Sequence, residues 1–110
     1  MIELIVYNYL LSELDVPVYM EIPSNAPAIF VRIEKTGSSK SNYINSATFA
    51  VQSYADTMYN ACALNEEVRQ AMDGMIELGE VFSSKLNSDY NYTDETTKHY
   101  RYQAVYDIKY

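Results

Sequence analysis

The spacing of apolar and polar positions changes several times along the chain. In residues 2–14, Ile2, Ile5, Val6, Tyr9 and Leu10 recur at helical spacing, with Glu3, Asn8 and Ser12 on the other side. Asp15-Val16-Pro17 ends this helix, because proline disfavours the helical conformation in the residue before it. Residues 18–22 are rich in β-branched and aromatic side chains and predict a strand, and Pro23-Ser24-Asn25-Ala26-Pro27 predicts a turn. Residues 28–35 give the clearest central strand: Ile29, Val31 and Ile33 alternate with Phe30, Arg32 and Glu34. These two strands are expected to form a hairpin. Residues 36–43, Thr-Gly-Ser-Ser-Lys-Ser-Asn-Tyr, predict a long polar loop projecting from the sheet. Strand character returns in residues 44–53, where Ala47, Phe49 and Val51 alternate with Thr48, Ala50 and Gln52.

Ser53 is the expected N-cap of the main helix, with Asp56 three residues on in a capping-box arrangement. Tyr54, Met58, Ala61, Leu64, Val68, Met72 and Met75 form its apolar stripe, and Asp73-Gly74 supplies a stop. Residues 78–86 predict a further strand. Residues 87–98, polar and acidic with Tyr90 and Tyr92 embedded, predict a loop. In residues 99–110, Tyr100, Tyr102, Ala104, Tyr106, Ile108 and Tyr110 occupy one face and His99, Arg101, Gln103, Asp107 and Lys109 the other. That alternation predicts a strand with one face on the core and one face wet. The expected architecture is a single α+β domain over residues 1–110, in the order α-β-β-β-α-β-β. Its mostly antiparallel sheet has two helices packed on one face, which leaves the other face and the edge strands open to another subunit.

Composition adds two points. Twelve tyrosines, three phenylalanines and no tryptophan supply rings with polar tips, suited either to a small β-rich core or to a surface that becomes buried in a complex. Fifteen acids against eight bases give a formal charge of −7, which argues against tight nucleic-acid wrapping but is compatible with a passage through which DNA slides, or simply with solubility. The N-terminal residues lack a basic n-region, and no apolar run reaches the length of a membrane span.

The chemistry of catalysis finds no footing in these residues. Cys62 is the only cysteine, so neither an intrachain disulfide nor a zinc cluster within one subunit is expected, and its place beside the helical stripe predicts a small buried hydrophobe. His99, the only histidine, reads as an ordinary surface side chain. There is no glycine-rich phosphate loop, no HExxH and no paired-carboxylate motif, and the basic residues do not interleave with tyrosines as a nucleic-acid platform requires. The expectation is a protein without enzymatic activity, cofactor or metal.

The order of features has a further parallel. A short N-terminal helix leads to Val16-Pro17-Val18-Tyr19, then to Pro23-x-x-x-Pro27-Ala28-Ile29-Phe30-Val31, then to Ile33-Glu34-Lys35-Thr36-Gly37 and a polar loop. Ala50-Val51-Gln52-Ser53-Tyr54-Ala55 precedes a helix with Ala61, Ala63 and Val68-Arg69, and the last strand carries Tyr100-Arg101-Tyr102-Gln103. This pattern, covering nearly the whole chain, resembles the tail-terminator or tail-completion proteins of long-tailed bacteriophages, the group that includes the minor tail protein U of lambda-like phages. The resemblance implies a hexameric ring that caps the tail tube, stops its polymerisation and presents the face that joins the head. Implied partners are further copies of the chain, the major tail-tube protein, a head-completion or neck protein, and double-stranded DNA passing through the lumen without specific binding. No membrane is implied, and the place of action is the head-proximal end of the virion tail after assembly in the host cytoplasm. Lys40, Asn42, Tyr43, Tyr90, Tyr92 and Arg101 are the expected contact residues. The alternatives are another neck protein, adaptor or stopper, and a monomeric module that binds a host protein.

Overall fold

A computed structural model of the chain describes all 110 residues. Helix α1 spans Ile2–Glu13, β1 Val18–Tyr19, β2 Phe30–Ser41, β3 Ile44–Ala55, α2 Met58–Asp73, β4 Ser83–Asn91 and β5 Tyr100–Lys109, with a 3-10 turn at Gly74–Glu77. The protein is an α+β domain with the order α-β-β-β-α-β-β and one five-stranded sheet, arranged β1-β2-β3-β5-β4. Every strand pair is antiparallel except β1 with β2.

Both helices cover the same face. Phe49, Val51, Ala104, Tyr106 and Ile108 from the sheet are fully or almost fully buried together with Val6 and Leu10 of α1 and Leu64, Val68 and Met72 of α2. The 3.6-residue period of α2 thus lies across the two-residue period of β3 and β5, which is how an amphipathic helix and an alternating strand share one core. Lys35 of β2, on the covered face, reaches Glu3 of α1 at 3.1 Å. The backbone hydrogen bonds of Glu3 and this ion pair hold its carboxyl below the usual range.

Several boundaries differ from the sequence reading, each for a physical reason. The expected hairpin of residues 18–22 with 28–35 does not form. β1 is two residues long and lies parallel to β2, Val18 opposite Val31 and Tyr19 opposite Arg32. Pro23 and Pro27 lack the N–H groups an antiparallel ladder needs, so residues 20–29 serve as a crossover. Residues 36–43 are not a loop: β2 continues to Ser41 and pairs with β3 as far as Ser41 opposite Ile44, with a bulge between Lys35 and Gly37. Only Asn42 and Tyr43 turn the chain.

The main helix starts at Met58, not Ser53. Ser53, Tyr54 and Ala55 fit a helical stripe, but β3 is a central strand, and its ladders with β2 and β5 on both sides hold these residues extended. Thr57 is the real N-cap, its hydroxyl accepting from the Asn60 N–H at 3.0 Å. Asp56 instead accepts from the Asn60 side-chain amide at 2.8 Å. β4 lies later than residues 78–86 and takes in Asn87–Asn91 of the expected loop, because pairing with β5 overrides its weak intrinsic preference. Cys62 is exposed rather than buried: the fully buried position is its neighbour Ala61, and the Cys62 thiol lies at the margin of the covered face beside Tyr102.

Candidate functional site

The face of the sheet opposite the helices carries two rows of side chains, one of them through the wet face expected for the last strand. One row runs Arg32, Gln52, Gln103, Tyr90 across β2, β3, β5 and β4. Arg32 donates to Gln52 Oε1 at 3.5 Å, Gln52 Nε2 donates to Gln103 Oε1 at 2.7 Å, and Gln103 Nε2 donates to the Tyr90 hydroxyl at 2.5 Å. Gln52 and Gln103 are buried although no helix covers them, because the long side chains around them shield the row. An amide ladder of this kind holds four strands in register without apolar burial, although Arg32 Nε is left without a partner.

The neighbouring row is aromatic. Phe30 stacks on Tyr54 with centroids 4.4 Å apart and planes 11° from parallel, and Tyr19 meets Phe30 edge-on at 5.6 Å. Arg101 closes the row. Its Nε donates to the Tyr92 carbonyl at 2.6 Å and its Nη1 to the Tyr54 hydroxyl at 2.9 Å. Its guanidinium carbon lies 4.5 Å from the Tyr92 ring centre and 5.6 Å from that of Tyr54. Tyr90 and Tyr92 pack edge-on at 6.0 Å. Beside this row, the crossover loop of residues 20–29 leaves a cleft of about 620 Å³ walled by Ile22, Pro23, Pro27, Phe30, Tyr54 and Arg101, with His99 and Asp56 at its rim.

The other three expected contact residues lie at the far end of the sheet. Lys40, Asn42 and Tyr43 form the tip of the β2–β3 hairpin, whose residues 36–43 are all exposed. Asn42 and Tyr43 have φ of 51° and 67°, the pair of left-handed conformations that closes a two-residue hairpin in the twist of its strands. Asparagine tolerates this conformation; tyrosine is strained there by about 1–2 kcal/mol. Tyr43 is nevertheless 92% exposed, so no contact within the chain offsets that strain. Ten residues of β3 separate the tip from Tyr54, which puts it about 33 Å from Arg101.

The six expected contact residues therefore fall into two groups. Tyr90, Tyr92 and Arg101 come together, and Tyr90 lies in β4 rather than in a loop; Lys40, Asn42 and Tyr43 lie apart at the hairpin tip. Phe30, Tyr54, Gln52 and Gln103 complete the first group and were missed. The alternation of 28–35 and 44–53 separates Phe30 from Val31 and Ile33 and Gln52 from Phe49 and Val51 without saying which face is open, and carrying the second pattern on past Gln52 would have placed Tyr54 on the same face as Gln52.

Charge is divided between the layers. Residues 1–17 carry Glu3, Glu13 and Asp15 with no base, and residues 57–82 carry Glu66, Glu67, Asp73, Glu77 and Glu80 against Arg69 alone. The remaining residues, the sheet and its loops, hold seven acids and seven bases. The net −7 thus belongs wholly to the helices and the segments that flank them.

Three tyrosines facing that layer have raised pKa values. Burial raises Tyr106, whose hydroxyl lies 3.0 Å from Asp73 Oδ1 and 3.2 Å from the Arg69 carbonyl. Burial, then the charges of Glu13 and Glu77, raises Tyr9, whose hydroxyl donates to the Ala71 carbonyl at 2.7 Å. Tyr102 is raised chiefly by the sulfur of Cys62 beside it. Cys62 thus accompanies the covered face while His99 lies at the rim of the cleft on the other. No group of three or more His, Cys, Asp or Glu side chains is spaced to hold a metal ion, and no helix is long and apolar enough to cross a membrane.

Fold and site together define an α+β domain with an open, aromatic sheet face and an exposed hairpin tip at its far end. No protein-family model and no curated protein matches this chain.

Proposed function

We propose that the chain is a tail-terminator subunit of a long-tailed bacteriophage, which assembles as a ring on the end of the tail tube, ends its polymerisation and presents the head-joining surface. The observation that carries this reading is the hairpin tip. Residues 37–40 pair with 45–48, which are bonded in turn to residues 107–110, so only the turn from Ser41 to Ile44 extends past the sheet, and it holds an aromatic ring in a strained, solvated position. Strain retained at an exposed tip is explained by a contact made outside the subunit. The half-open sheet supports the same reading, since a subunit with different surfaces at its two ends makes head-to-tail contacts, and these close into a ring when the rotation between copies closes.

In such a ring the tip contacts the tube or the next subunit. The helical layer, with the whole of the net −7, suits a lumen through which DNA moves without sticking, because it repels phosphate. Polymerising the tail-tube protein with and without this chain, followed by negative-stain microscopy, tests the reading. Tubes of fixed length bearing a ring at one end are expected. Tubes of unrestricted length with no bound ring would reject it.

A further inference from the structure

Arg101 differs from the other two arginines in having no acidic partner. Arg32 pairs with Glu34 at 3.3 Å, and Arg69 with Asp89 at 3.3 Å and Glu66 at 3.5 Å. Arg101 spends Nε and one Nη1 proton on Tyr92 and Tyr54, which fixes its plane between two rings. The end-on fork formed by Nη1 and Nη2 has no carboxylate on it, and this is the geometry that takes a carboxylate through two parallel hydrogen bonds. Next to it the cleft offers Ile22, Pro23, Pro27 and Phe30. The chemistry that fits is an apolar side chain with a carboxylate close by in sequence. A phosphate suits it poorly, since Arg101 is the one permanent cation in the wall and a doubly charged group beside Asp56 would be left under-neutralised.

The chain displays such a segment itself. From the end of the 3-10 turn to the start of β4, Ile76 is 54% and Phe82 69% exposed, and Glu77 and Glu80 between them are also exposed. No base in the chain pairs with either acid. Phe82 donates its N–H to the Lys109 carbonyl, which fixes the segment at the opposite end of β5 from Arg101, eight residues or roughly 27 Å away. Cleft and segment cannot meet within one molecule.

We infer that the Arg101 cleft of one copy receives the Ile76–Phe82 segment of the next, with Phe82 against Pro23, Pro27 and Phe30 and a glutamate of the segment on the guanidinium fork. The contact is heterologous, joining one end of the sheet to the other, and so repeats around a closed ring. It deepens the terminator reading by naming the subunit interface, and it rests on that reading only for the ring's closure.

Photo-cross-linking tests the contact even where isolated subunits associate weakly. The full chain is made with Phe82→p-benzoylphenylalanine, irradiated at high concentration, and the adducts are mapped by mass spectrometry. Expected are intermolecular adducts within residues 22–30 or 99–101. Either Arg101→Glu or Glu77→Lys with Glu80→Lys should cut their yield about ten-fold, the loss expected when one charge pair is broken. Mixing an Arg101→Glu acceptor with the double-lysine probe should restore them. The exposed glutamates make the lysine variant safe for folding, so the result does not depend on the stability of Arg101→Glu. Adducts elsewhere, no adducts, or a yield indifferent to both charge changes would overturn the inference. Tube capping without these adducts would leave the terminator reading and remove the interface; adducts without capping would do the reverse.

Discussion

The two faces of the sheet are held by different forces. On the covered face, Phe49, Val51 and Tyr106 lose essentially all solvent contact against Val6, Leu10, Val68 and Met72, so apolar burial dominates. On the open face, the Arg32–Gln52–Gln103–Tyr90 row and the Phe30–Tyr54–Arg101 row hold the strands by directed contacts between side chains. The hairpin tip, Ser41–Ile44, has neither, because the pairing of β3 with the last strand stops at Asn45 and Tyr110. Tolerance of change is divided accordingly: stability resides with the helices, geometry with the open face, and the hairpin tip is free to be specified by a partner.

The comparison breaks most visibly if a covered-face truncation is mild. Phe49→Ala should cost about 3–5 kcal/mol, read as a large drop in the urea or thermal midpoint. A cost below that of the open-face changes would mean that the helices are not the main source of stability.

Next in size is the amide ladder. Gln103→Leu should cost about 1–3 kcal/mol, because it strips the partners from buried Gln52 and from Tyr90. Adding Gln52→Leu should recover part of the loss by removing the orphaned amide. If the double variant were worse than the single by the same amount again, the two residues would be acting independently.

Tyr43→Gly gives an opposite sign. Glycine relieves the positive φ, so the variant should be more stable by up to about 1 kcal/mol, less the extra freedom glycine gives the unfolded chain. The same change should weaken tube capping, since the ring is lost. Stability and capping moving together would make Tyr43 a fold residue.

The smallest effect is expected in alkali. The pKa of Tyr106 is raised above its ordinary 10.0, so its contribution to stability is complete below that pH. It is lost progressively as pH rises above 10 toward the higher folded value, because the unfolded chain releases the proton first. Denaturant midpoints measured across this range should fall less steeply for Tyr106→Phe than for the wild type. Equal slopes would mean that the buried phenol ionises as freely as in the unfolded chain.

The alternation of β2, β3 and β5 and the stripe of α2 were readable because each follows a strong period on an element with a core to face. From these the element order and the sheet with one covered face follow. Three features were not readable. The parallel pairing of β1 depends on where a crossover of ten residues lands, which local pattern does not encode. Residues 36–41 are strand only because β3 lies beside them: Gly-Ser-Ser-Lys has no strand preference of its own. The start of α2 was ambiguous because Tyr54 fits both a helical stripe and an outward strand position, and the ladder with β5 decides. Tyr90, Tyr92 and Arg101 were each recognisable as exposed polar or aromatic groups. That they meet one another, and that Tyr54 and Phe30 join them, depends on the register of β4 and β5.

Hydrogen exchange of the whole chain, alone and with purified tail-tube protein, tests the division of labour most directly. New protection in the hairpin tip around residues 38–44, with the amides of β3 and β5 in the covered core unchanged, is the predicted result. Protection confined to the outer surfaces of α1 and α2, with the tip exchanging as freely as before, would contradict it.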